Sequence, residues 1–100
     1  MAVVLQIDFP FQGPFGADLA AAMSELAESI SREPGFIWKI WTENPDSRQA
    51  GGVYLFNDKA TAEAFLKKHS DRLVSFGIID ARSRLFEVNQ ALTKMTSGPV

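Results

Sequence analysis

One hundred residues with 46% hydrophobic and 22% charged side chains suit one soluble, compact domain over residues 1–100 and are too few for a second core. Ten Lys and Arg against twelve Asp and Glu leave a net charge of −2, which supplies no basic field for nucleic acid or an anionic membrane surface. The absence of cysteine excludes disulfides, a thiolate nucleophile and CxxC metal or redox pairs, and makes the cytoplasm the expected compartment.

Residues 2–9 place Val3, Leu5, Ile7 and Phe9 on one parity and Val4, Gln6 and Asp8 on the other, the two-residue period of a half-buried strand. Gln6 and Asp8 also interrupt the apolar run before it reaches the length of a signal or membrane segment. Pro10 to Gly16 holds two prolines and two glycines and is expected to be a loop with aromatic residues. From Ala17 to Ser31, Leu19, Met23, Leu26 and Ile30 recur at helical spacing, and Glu33-Pro34-Gly35 ends the helix. Phe36–Glu43, FIWKIWTE, predicts a second strand with large apolar side chains on both parities. Asn44 to Ser47 is a turn cluster, and Ala50–Phe56 completes a hairpin. Asn57 or Asp58 is placed to cap a second helix with Ala62, Phe65, Leu66 and His69 on one face and Lys67, Lys68 and His69 in its last turn, and Ser70 to Gly77 ends it. Ile78–Val88 reads as the last strand, and the tail from Asn89 to Val100 ends in a Ser-Gly-Pro stretch expected to fray.

This order is that of an α+β, ferredoxin-like βαββαβ subunit: a four-stranded antiparallel sheet with two helices on one face. The second strand's two apolar faces then imply a partner for the uncovered side. A second copy related by a two-fold axis, sheet against sheet, is the simplest one.

The common catalytic constellations are missing. There is no GxGxxG, no GxxxxGK[ST] and no GxSxG, and a single histidine cannot assemble a zinc or non-haem iron site within one subunit, so no metal is expected. What stands out is aromatic: Phe36, Trp38 and Trp41 on the second strand, Tyr54 and Phe56 on the third, Phe65 on the second helix. Each suits an ordinary core. Trp38 and Tyr54 also carry polar groups and share a parity, so in one hairpin register they line a common pocket, with Phe36, Phe56 and Phe65 as further walls. His69 reads either as a histidine favoured by its helix terminus or as a pocket base, and less readily as an axial haem ligand. Asp80, Arg82 and Arg84 share a parity of the last strand; they suit ion pairs at an interface, while Arg84 also suits an anionic substrate. Glu33 and Glu43 read as solvent charges.

The segments Gly13-Pro14-Phe15-Gly16, Ala27-Glu28-Ser29-Ile30, Glu33-Pro34-Gly35-Phe36 with Trp38-Lys39 and Trp41-Thr42-Glu43, Ala50-Gly51-Gly52 with Tyr54-Leu55-Phe56, and Phe86-Glu87-Val88-Asn89 together resemble the YdhR-like putative mono-oxygenase family, small bacterial proteins of the dimeric α/β-barrel superfamily. The resemblance spans nearly the whole chain. It implies a homodimer and a cofactor-independent oxygenase that takes a small aromatic phenol or quinol and O₂. In that wider group a pocket of Trp, Tyr and an anion-stabilising side chain holds the phenol, which points to Trp38 and Tyr54, with His69 or Arg84 in support. A non-catalytic binding module built on the same pocket, a haem protein and a purely structural dimer are the alternatives.

Overall fold

The alternation at Val3, Leu5 and Ile7 builds the first strand: in the computed structural model, which describes residues 1–100, β1 runs Val3–Pro10. It is followed by α1 (Gly16–Ser31), β2 (Phe36–Asn44), β3 (Gln49–Phe56), α2 (Lys59–Ser75), β4 (Arg82–Glu87) and α3 (Gln90–Met95). Every strand pairing is antiparallel, and the sheet order β2-β3-β1-β4 is the ferredoxin-like arrangement expected from the sequence. Val3, Leu5, Ile7, Tyr54 and Phe56 on one sheet face meet Ile30 of α1 and Ala62, Phe65 and Leu73 of α2 to form the core.

Two acidic residues read from sequence as solvent charges do structural work instead. The α1 N-terminus has no side-chain cap of its own, and the Glu43 carboxylate of β2 accepts from the Gly16 N–H, with N···O distances of 3.0 and 3.2 Å. A carboxylate there satisfies an orphan donor and complements the helix dipole. Glu33 accepts from Lys68 Nζ at 2.7 Å, tying the end of α1 to α2. At α2 the cap is Asp58, which accepts from the Thr61 N–H at 2.8 Å; that bond holds the Asp58 carboxyl below its ordinary pKa.

The position that decides the faces is a bulge in β2. Phe36 pairs with Phe56, but the next registered pair is Trp38 with Leu55, so one extra residue stands on β2 and the side-chain parity inverts. Beyond it, Lys39 lies opposite Tyr54 and Trp41 opposite Gly52, on the helix-covered face. Trp38 and Ile40 lie opposite Leu55 and Val53, on the open face. The expected shared pocket for Trp38 and Tyr54 is thereby corrected. Trp38 instead donates from Nε1 to the Pro99 carbonyl at 2.9 Å, holding the C-terminal segment.

Three boundaries also differ from expectation. α2 continues to Ser75 because its apolar stripe continues, with Leu73 one turn beyond His69. The last strand starts only at Arg82, since Asp80 sits at φ +57, outside the extended region. The tail begins with a helix that was not expected: Asn89 accepts from the Leu92 N–H at 3.1 Å and caps the short α3.

The glycine pair on β3 lets neighbours come close. A Cβ on Gly51 would overlap the Ile7 carbonyl oxygen of β1, and one on Gly52 would overlap the Lys39 side chain. Gly51→Ala is therefore expected to cost at least ~2 kcal/mol in urea unfolding, because backbone rather than a mobile side chain must give way. An unchanged midpoint would show that the β1–β3 spacing is not limited by this contact.

Candidate functional site

Between the helix-covered sheet face and the two long helices lies a cavity of about 140 Å³. That is close to the ~150 Å³ of an engineered apolar cavity that takes one benzene ring. Phe9 and Phe11 close one side, Leu19, Met23 and Leu26 of α1 another, and Leu73, Phe76 and Ile78 a third. Lys39, Trp41, Tyr54 and His69 supply its polar chemistry, and no Asp or Glu lines it. Leu19, Met23 and Trp41 also border a groove on the outside of α1.

Tyr54 is 1% exposed and His69 3%. The Tyr54 hydroxyl lies 3.4 Å from His69 Nε2, and Arg72 Nε donates to His69 Nδ1 at 3.3 Å. Arginine has only donors, so Nδ1 must present its lone pair and Nε2 carries the proton. Nε2–H then donates to the Tyr54 oxygen, leaving the tyrosine's own hydrogen free to turn to another acceptor. Burial, then the charges of Lys39 and Arg72, push the His69 pKa down to about 3. A neutral imidazole with both nitrogens engaged is a poor base toward Tyr54 and offers no lone pair to a haem iron. His69 is placed to orient the Tyr54 hydroxyl. Burial also raises the Tyr54 pKa well above its ordinary value, so the phenol keeps its proton at neutral pH.

Lys39 is the least expected member. Its Nζ stands 3.3 Å from the centroid of the Trp41 ring and 4.6 Å from that of Tyr54. Two aromatic faces favour the ammonium form, yet burial, helped by the Arg72 charge, lowers its pKa to about 7. Arg72 has its Nη2 buried without a hydrogen-bond partner. Two cationic groups therefore act on a carboxylate-free cavity.

Of the residues singled out from sequence, Tyr54, His69 and, from the aromatic set, Trp41 line the cavity. Phe65 and Phe56 back it, with ring centroids 5.1 and 6.4 Å from Tyr54, and Phe65 stacks on His69 at 4.9 Å. Phe36 packs edge-on against Phe56 at 5.9 Å, one layer further away. Trp38 and Arg84 are on the opposite sheet face, Arg84 in register with Gln6, because strand pairing puts them there. Lys39 and Arg72 were not singled out from the sequence, and Trp41 was named only as one of the aromatic set. One charge inside FIWKIW opposite a Gly-Gly pair was the available signal for Lys39; Arg72 fell beyond the expected end of its helix.

The model of the family described as putative mono-oxygenase ydhR matches residues 4–99. No curated protein sequence matches significantly. Among solved structures, the chain is similar to SnoaB, a cofactor-independent oxygenase from Streptomyces nogalater, with 17% identity, TM-score 0.64, and 88% of this chain and 93% of that one covered. It is similar to protein YJCS, with 12% identity, TM-score 0.65, and coverage of 89% and 100%. It is also similar to a putative antibiotic biosynthesis monooxygenase from Deinococcus radiodurans, with 13% identity, TM-score 0.58, and coverage of 89% and 93%. At such identities the likeness is one of fold.

The depressed His69 pKa carries a pH signature. Between about pH 3 and 6.5 the unfolded chain binds a proton at this residue that the folded chain does not, so its contribution to stability falls as pH falls through that window. Unfolding titrations of wild type and His69→Gln are expected to diverge there, with the shallower slope in the variant. Parallel curves would mean that His69 is not held neutral.

Proposed function

This chain belongs to the putative mono-oxygenase ydhR family, and from that membership we propose that it is a cofactor-independent oxygenase of a single-ring phenol or quinol, working as a homodimer in the cytoplasm. The observation that carries the reading is the Tyr54 hydroxyl, oriented by His69 and Arg72 at the wall of a largely apolar cavity of about one ring's volume. A phenol seated there can accept the tyrosine's free hydrogen at its own oxygen. That bond strengthens as the phenol O–H ionises; the phenolate so formed is the electron donor to O₂, and the proton it releases ends in the water formed.

The electron count closes without a further reductant. A phenol bearing a ring C–H para to its hydroxyl reacts with O₂ to give a quinone and water: one oxygen atom becomes the new carbonyl and the other leaves with the two hydrogens lost by the substrate. The protein's part is to hold ring and oxygen together, exclude water and stabilise the developing charge.

The dimer reading rests on the open sheet face. Ile40 and Phe86 are 55% and 48% exposed there, flanked by Arg84 and by the Arg82–Asp8 ion pair at 3.0 Å. A second sheet packed on this face removes that apolar area from water, with charged groups at its rim.

Oxygen uptake by purified protein with a panel of single-ring phenols and quinols tests the activity. Tyr54→Phe is expected to lower kcat by roughly 10²-fold with the fold intact by circular dichroism, the usual cost of removing one charge-stabilising donor; undiminished turnover would take Tyr54 out of the reaction. Sedimentation of wild type and Ile40→Asp tests the assembly, with a dimer expected for the first and a monomer for the second. A wild-type monomer at micromolar concentration would refute the face-to-face pairing.

A further inference from the structure

Resting on the oxygenase reading, we infer that the substrate is a hydroxyaryl carboxylate: a single phenol ring whose carboxylate is held by Lys39 under the added field of Arg72, while Tyr54 meets the phenol oxygen.

Three features point to a permanent anion. Lys39 Nζ is placed over the rings of Trp41 and Tyr54 at the cavity wall, and no Asp or Glu there neutralises it. Arg72 spends Nε on His69 and keeps a buried Nη2 with no acceptor. Gly52 leaves open the space that the Lys39 side chain crosses, since a Cβ there would overlap it. Holding two half-buried positive groups without a counter-ion is costly, and a bound anion recovers part of that cost. The titratable and charged groups around Lys39 are Tyr54 from β3 and His69 and Arg72 from α2; the residues with which α1 lines the cavity, Leu19, Met23 and Leu26, carry no charge. Nothing else at the cavity supplies negative charge.

The anion is a carboxylate rather than the phenol's own oxygen. A phenol ionises near pH ~10 in water, and a dry site raises that further, as Tyr54 itself shows. A ring carboxylate is ionised throughout the neutral range. Its binding favours the ammonium form of Lys39, so the complex takes up part of a proton near neutral pH, and affinity falls as pH rises toward 9.

Titration calorimetry with 3-hydroxybenzoate and its uncharged analogue 3-hydroxybenzamide, in two buffers of different ionisation enthalpy, tests this. The carboxylate is expected to bind at least about tenfold more tightly, with proton uptake, and Lys39→Met is expected to bring the two ligands within about twofold. Wild-type protein alone decides if the variant does not fold: carboxylate affinity should fall between pH 6.5 and 9 while that of the amide stays flat up to the ionisation of its own phenol. Equal affinities, proton release on binding, or no binding of either ligand would overturn the assignment. Oxygen uptake separates the two levels. Phenol-driven uptake with equal affinities leaves the oxygenase reading standing and this inference fallen, whereas a clear carboxylate preference with no uptake from any phenol upholds anion recognition and removes the oxygenase.

Discussion

The extra residue between Phe36 and Trp38 is the constraint on which both surfaces of the sheet depend. A strand has a side-chain period of two, so one inserted residue sends everything after it to the other face. It turns Lys39 and Trp41 toward the helices and Trp38 and Ile40 away from them. The same bulge therefore gives the cavity its cation and the open face its apolar surface. Without it, Trp38 would stand beside Tyr54 and the lysine would be in water.

Around the cavity, polar order is imposed by a chain of donors rather than by pairs of opposite charge. Arg72 can only donate, which fixes the acceptor on His69, which in turn fixes the donor facing Tyr54. The aromatic stack of Phe65, Phe56 and Phe36 behind Tyr54 keeps water out and the rings in place. Burial then moves pKa values in the directions that keep His69 neutral and Tyr54 protonated. The outcome is an apolar pocket whose electrostatics are positive and whose hydrogen-bond donors are oriented before a ligand arrives, the arrangement that stabilises developing negative charge at least reorganisation cost.

The helices are anchored to the sheet by charges that periodicity cannot interpret. Glu43 lies 27 positions from the Gly16 amide it caps, and Glu33 lies 35 from Lys68. Both look like surface acids in the linear sequence because their partners are far along the chain. The cap on α1 positions Leu19 and Met23 over the cavity, so a residue on the second strand helps to shape the site from outside it.

The order of elements, the antiparallel ferredoxin-like sheet, the buried stripe of Ala62, Phe65 and His69, and the family were legible in the residues, because local periodicity, turn chemistry and segment composition are properties of neighbours in sequence. Tyr54 and His69 were legible as cavity-lining residues for a related reason: a polar group on an otherwise apolar stripe needs a buried partner. The register of the β2–β3 hairpin was not. Both parities of FIWKIW are apolar, so hydrophobic pattern could not choose between them, and the choice fell to the bulge and to the room above Gly52. Lys39, Trp41 and Arg72 entered the site, and Trp38 and Arg84 left it, only through that long-range pairing and the extra turn of α2.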